Sequence, residues 1–258
     1  MRKSLTCILV FAYNLNNSKA KSGSMMKEPL QSKRKTLAGE VYNHLYNQII
    51  TLKYKPGQMI YESELALSLG ISRTPVREAI HLLASEGFLR IIPQKGIQVE
   101  YISAKKVREA FQVRLCLEAE AFRQAAIKWG ELSQTRQYKA ELNQIIEEQQ
   151  KSAAAEDVDQ FYHFDEVFHD KVLKISGNKT LSEIVRQVRG HVNRMRYLEF
   201  FETREMDRII QDHKQLVALI EAGDGAGVAA KLTDHLENIS RYYNEVMKKY
   251  GDYFDVHS

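Results

Sequence analysis

Between Leu37 and Leu52 the apolar residues Leu37, Val41, Leu45, Ile49 and Leu52 recur every three to four positions, which is the spacing of one buried helical face. The turn residues Pro56 and Gly57 end that pattern. A short helix is predicted over "ESELALSLG", with Glu62 and Glu64 in its first turn, where carboxylates suit the helix dipole, and Gly70 at its end. Ser72 reads as the N-cap of a third helix, its hydroxyl expected on the N–H of Thr74 because Pro75 has none to offer. Val76, Ile80, Leu83 and Ala84 make the buried stripe of that helix, which closes at Gly87. The period then shortens: "FLRII" and "IQVEYI" are β-prone and separated by "PQKG", the signature of a hairpin.

Three short helices followed by a hairpin predict a winged helix-turn-helix over residues 36–103. Residues 104–250 contain no proline and read as consecutive helices, broken near Gly130, at Ser176–Asn178, at about Phe201–Thr203 and at "AGDG" over 222–225. The economical reading is an antiparallel all-helical bundle of about six helices, so the chain is mainly α, with residues 251–258 a C-terminal tail. Residues 1–35 fit neither pattern. "MRKSLTCILVFAY" has a basic start and an apolar run, but no A-x-A cleavage site follows and the run is too short to span a bilayer. Met25 and Met26 offer alternative starts, so this stretch is read as an upstream extension or a disordered tail.

Composition sharpens the division. The chain is 44% hydrophobic, which suits a folded protein, and its net charge of +4 is unevenly spread. Residues 1–103 hold 14 Lys and Arg against 7 Glu, and the remainder 23 against 26 acids, so the first region is the candidate for a polyanionic partner. Cys7 and Cys116 supply neither a disulfide framework nor a cysteine zinc pattern, which fits a reducing cytoplasm.

The segment "SRTPVREAI" places Arg73 and Arg77 one helical turn apart with no acid four positions from either. Like charges so placed repel, which points to an anion supplied from outside. In a winged helix-turn-helix the third helix enters the major groove by its N-terminal end, and arginine reads guanine bidentately, so the anion is DNA. The whole stretch "PGQMIYESELALSLGISRTPVREAIHLLASEGFLRIIPQKGIQV" resembles the DNA-binding domain of the GntR family of bacterial transcription regulators, including the "SRTPVREA" core and the P-x-K-G wing tip. The resemblance implies DNA contacts from Ser72, Arg73, Thr74 and Arg77 on the recognition helix and from Lys95 and Gly96 on the wing. Ser63 is a weaker candidate for a phosphate contact.

In the helical region, "FDEVFHDKVLKISGN" puts Asp165 and His169 at i and i+4, the geometry of a two-ligand metal grip, although a salt bridge is the more ordinary reading of such a pair. His213 and His235 lie on apolar-patterned helices, where each alone would be a core histidine. Arg114 sits in an apolar face, either paired with Glu118 at i+4 or free to clamp a carboxylate. "VRQVRGHVNRMRYLEFF" carries Arg186, Arg189, Arg194 and Arg196; most are expected at the surface or paired with acids, with Arg189 and Arg196 on one face as further effector candidates.

Residues 105–247 resemble the FCD effector-binding domain of the FadR-like branch of that family, through "D-x-x-F-H", "SGN" and "H…I…GD…H". The resemblance implies a metal held by Asp165, His169, His213 and His235. That donor set suits zinc foremost, with nickel, manganese or iron open. It also implies a small carboxylate effector, a homodimer on a pseudo-palindromic double-stranded operator and, as in most relatives, repression, with no membrane role. His44, His81, His163, His191 and His257 fall outside the pattern and are read as structural or surface. A metal-responsive regulator or a purely structural metal is the alternative. Enzyme activity is disfavoured, because Glu166 lies about 100° around the helix from Asp165 and no other general base stands out.

Overall fold

The computed structural model describes residues 36–255, arranged as two compact units. The proposed start at Met25 or Met26, the tail 1–35 and His257 lie outside the described residues. Among the described residues, one unit is formed by residues 36–47 together with Gln58–Glu100, and the other by Gln48–Gly57 with residues 101–255.

Helix α1 (Leu37–Ile50), which lies in the first unit as far as Asn47, buries Ala38, Val41, Leu45 and Ile49. Leu37 is half exposed, and the helix stops two residues before Leu52, which has a positive φ of 56° and packs in the second unit. Helix α2 (Glu62–Leu69) ends on Gly70 in the left-handed region, with its N–H returned to the carbonyls of Ala66 and Leu67. Helix α3 (Arg73–Ser85) buries Val76, Ala79, Ile80 and Leu83. Ala79 takes the place expected for Ala84, because the stripe drifts with the true helical period. Ser72 occupies the N-cap in extended conformation, but its hydroxyl caps nothing, contrary to the expected bond to Thr74.

The hairpin is present as β2 (Leu89–Ile92) and β3 (Gly96–Val99), pairing Leu89 with Val99 and Ile92 with Gly96. A two-residue strand, β1 (Met59–Ile60), adds to the far edge of β3 to give the order β1-β3-β2. No strand was expected there, since two residues are too few to show a period. Gly96 has φ 126°, and a Cβ there would lie 3.0 Å from the Tyr61 ring, so glycine is required by backbone and space together.

The second unit is helical: α4 (Ala104–Lys128), α5 (Thr135–Ala154), α6 (Val158–Ile175), α7 (Lys179–Thr203), α8 (Met206–Glu221), α9 (Gly225–Arg241) and the short α10 (Tyr243–Lys249). The expected breaks are present, and a further one falls at Glu156, whose positive φ of 52° turns the chain between α5 and α6. It escaped notice because "AAAED" carries no glycine or proline. Side-chain caps set several boundaries: Ser103 accepts from Lys106 N–H, Asp157 from Gln160, Asn178 from Leu181 and Asp224 from Gly227. Helix α4 runs centrally against α6, α7, α8 and α9, while α5 packs on α6 and α8. That arrangement turns the inner faces of six helices toward one another.

Candidate functional site

Polar groups that ought to be solvated lie fully buried at the centre of the helical unit. Asp165 and His169 come from α6, His213 from α8 and His235 from α9; all are buried, and one ligand atom from each lies within 4.8 Å of those of the others. The His213 Nε2 to Asp165 Oδ1 separation is 3.6 Å, and Phe168 stacks on the His213 ring at 3.9 Å between centroids.

Each imidazole is held from behind. His169 Nδ1 lies 2.9 Å from Glu118 Oε2, His213 Nδ1 lies 2.8 Å from Gln149 Oε1, and His235 Nδ1 lies 3.1 Å from Asp212 Oδ2. For His213 and His235 these contacts are hydrogen bonds to acceptors, so the proton belongs on Nδ1 and the Nε2 lone pair remains on the opposite side of the ring, whereas the His169–Glu118 approach is a charge-pair contact in which Nδ1 makes no hydrogen bond. The Nε2 atoms of His169 and His213, and Asp165 Oδ2, are buried without a hydrogen-bond partner. Orphaned acceptors of this kind are costly in a protein interior, and a cation between them would satisfy them together.

The electrostatics agree. Burial holds His169 and His213 well below the usual imidazole range and brings His235 down to about 4, so all three are neutral at pH 7. Burial pushes Asp165 up to about 6, while the Arg196 guanidinium opposes the rise. Burial works most strongly against ionised Glu118, yet Arg114, His169 and Arg189 together outweigh it and hold that carboxyl well below its ordinary value.

Arg114 and Glu118 are both wholly buried and paired at 2.8 Å, so the ion-pair reading of Arg114 holds, while its Nη1 has no partner. Arg196 Nη2 donates to Asp165 Oδ1 at 2.7 Å and lies 3.4 Å from His235 Nε2, leaving Nε and Nη1 unpartnered. Arg189 is engaged by Glu166 at 3.0 Å and Asp170 at 2.7 Å. Of the two environments expected for the arginines of α7, pairing with acids prevails: Arg186 is exposed and reaches Asp170, while Arg189 and Arg196 are buried against Glu166, Asp170 and Asp165, and Arg194 is buried as well. Their helix is enclosed on several sides, so the face that a surface helix would give to water looks inward here.

Reading the sequence missed Gln149 and Asp212 as supports of the histidines, and took Glu118 only as a partner of Arg114. Asp212 directly precedes His213 but serves His235, a link that only the packing of α8 on α9 creates.

In the first unit, Ser72, Arg73, Thr74 and Arg77 are all exposed at the start of α3, and Lys95 is exposed at the hairpin turn. Gly96 is partly covered by Tyr61 and Met59. Arg77 is not unbalanced in the structure: Glu62, at the start of α2, accepts from its Nε at 3.1 Å and its Nη2 at 2.8 Å. Ser63 is exposed on α2.

These two sites sit in segments that match two family models: residues 37–99 match the bacterial regulatory proteins of the gntR family, and residues 109–238 match the FCD domain. The chain belongs to the GntR family. It is 26% identical over 215 residues to the HTH-type transcriptional repressor RspR of Escherichia coli strain K12, covering 83% of this chain and 92% of that one. It is 26% identical over 200 residues to the gluconate operon transcriptional repressor of Bacillus subtilis strain 168, covering 74% and 79% respectively. The solved structure of E. coli McbR/YncC is similar, with a TM-score of 0.73 at 26% identity, over 81% of this chain and 98% of that one. As a GntR regulator the chain is a DNA-binding transcription regulator rather than an enzyme, and its buried Asp and His cluster is consistent with a metal site. Among the described residues, no helix is long and apolar enough to cross a membrane.

Proposed function

We propose that this GntR protein is a cytoplasmic, homodimeric repressor that grips a pseudo-palindromic operator through Ser72, Arg73, Thr74, Arg77, Lys95 and Gly96. Its helical domain holds a divalent transition metal, zinc foremost, and senses a small carboxylic acid at that centre. The observation that carries the sensing reading is the orientation of the three imidazoles. With Nδ1 of His213 and His235 committed to Gln149 and Asp212, and that of His169 turned toward the Glu118 carboxylate, the Nε2 atoms and Asp165 Oδ2 form a ready donor set. A divalent ion there would supply positive charge able to accept a carboxylate oxygen. Arg196 and Arg114 support an anionic effector, because each has guanidinium N–H groups that are buried and unanswered. Arg189, already shared by Glu166 and Asp170, would brace that wall.

A route for regulation lies beside the site. Segment 48–57, which leaves α1, belongs to the helical unit, and its Lys53 lies 2.9 Å from Asp159 on α6. Asp159 also accepts from the Tyr197 hydroxyl at 2.7 Å, next in sequence to Arg196. An effector that draws Arg196 away from Asp165 shifts α7 against α6 at that second link, biasing the segment that leads to the DNA-binding domain. The complete burial of the four ligands also suits a structural metal, and metal removal separates the two readings. A sensor loses ligand-dependent release of DNA, whereas a structural site first loses thermal stability. The test is competition binding to an operator selected from random duplexes, with a panel of small di- and hydroxy-carboxylic acids, before and after chelation. An acid that releases DNA only from metal-loaded protein is expected; indifference to every acid contradicts sensing.

A further inference from the structure

The Glu62–Arg77 pair joins two helices across the surface expected to face DNA. Glu62 fills one side of the guanidinium, taking Nε and Nη2 with its two oxygens. By the covalent geometry of arginine, the end-on edge formed by Nη1 and the second N–H of Nη2 is left over. That is the edge whose spacing matches guanine O6 and N7. The Arg77 side chain is 61% exposed, so the remaining edge stands in solvent at the head of α3. An arginine already held by a carboxylate has one orientation to offer and surrenders less rotamer freedom on docking. A carboxylate at this place is also repelled by any phosphate backbone, a contribution that opposes binding on every sequence and is offset only where Arg77 meets its base.

We propose that Glu62 is a positioning residue for sequence recognition: it presents Arg77 end-on to a guanine edge, while its own charge weakens the grip on other sequences. This rests on the reading of Arg77 as a DNA contact. Glu62 thereby gives up affinity for other sequences in favour of discrimination, the usual means by which a repulsive element raises specificity.

The test uses the full chain and two duplexes of about 30 base pairs, long enough for two half-sites. One is selected from a random pool by the wild-type protein and the other is a scrambled version of the same composition. Affinities are measured by fluorescence anisotropy at one salt concentration for wild type, Glu62→Gln, Arg77→Ala and the double variant, with thermal unfolding of each. Glu62→Gln is expected to bind the selected duplex about tenfold more weakly and the scrambled one as tightly or more tightly. Its melting temperature should stay near that of wild type, and the double variant should discriminate no worse than Arg77→Ala. Tighter binding of Glu62→Gln to both duplexes would make Glu62 a mere block on Arg77, and an equal loss on both or an unchanged ratio would equally overturn the proposal. If Arg77→Ala keeps the wild-type ratio, the DNA role of Arg77 itself has failed. If Arg77→Ala loses that ratio while Glu62→Gln keeps it, only the Glu62 role has failed.

Discussion

The two units handle charge in opposite ways. In the DNA-binding unit the functional side chains follow one another at the start of a helix, exposed, with Arg77 paired to Glu62 in solvent. In the helical unit they come from α4 to α9, buried, with Arg114, Arg196, Glu118 and Asp165 answering one another out of contact with water. Exposed pairs contribute little to stability, and this one leaves the free edge of Arg77 open to a phosphate or a base edge. Buried pairs contribute strongly to the order of the core and fail badly when one partner is removed. The first unit is therefore a reader that can lose a residue and stay folded, and the second is a core whose chemistry cannot be separated from its stability.

The largest effect that would sharpen this contrast is expected at Arg114. Arg114→Ala leaves the Glu118 carboxylate buried without its main counter-charge, and should cost about 3 to 5 kcal/mol in urea unfolding. Arg73→Ala should cost no more than about 0.5 kcal/mol in the same assay while weakening operator binding. Equal losses would break the comparison.

A second effect depends on pH. Burial raises the Glu199 carboxyl from 4.5 to about 7, partly offset by Arg196. Its folded-state value lies above its unfolded one, so its contribution is fully present below about pH 4.5 and lost as pH rises through 7. Metal-free protein should lose on the order of 3 kcal/mol across that window from this group, at 1.36 kcal/mol per unit. Glu199→Gln should flatten the profile; an unchanged profile would place the titration elsewhere.

Next in size, Gln149→Leu removes the acceptor behind His213 and should weaken metal affinity about 10- to 100-fold in chelator competition, with the other ligands intact. The smallest effect belongs to Lys53→Ala, whose partly exposed pair with Asp159 is worth below about 1 kcal/mol. It should leave metal affinity unchanged and reduce the effector-dependent shift in DNA affinity. An undiminished shift would exclude this link.

The difference between the units also explains what could be read in advance. The recognition helix was legible because its function and its fold are local: Ser72 to Ile80 names the cap, the buried stripe and the exposed arginines within nine residues. Apart from the Ser72 hydroxyl, which holds the cap position without bonding Thr74, the details that failed depend on neighbours outside that window. Strand β1 exists only because β3 lies beside it, and Glu62 was assigned to its own helix dipole when it also serves Arg77. In the helical unit, Asp165 and His169 were visible as an i,i+4 pair, and His213 and His235 joined them through a family pattern that periodicity alone would have dismissed as core histidines. The supports could not be found in that way. Gln149 stands 64 residues from His213, and no spacing rule connects them. The arginines of α7 were left between surface and ion pair for a related reason: the sequence does not say which acids, here Asp165, Glu166 and Asp170, face them.

The central claim is that four buried side chains hold a metal. The most direct measurement is metal content by mass spectrometry on protein purified without a histidine tag, beside His213→Ala and Asp165→Ala. About one divalent ion per wild-type chain, lost in both variants, is the expected result for a site with a single complete donor set. No metal in the wild type, or full occupancy in His213→Ala, would contradict it and leave the cluster a polar core beneath a DNA-binding regulator.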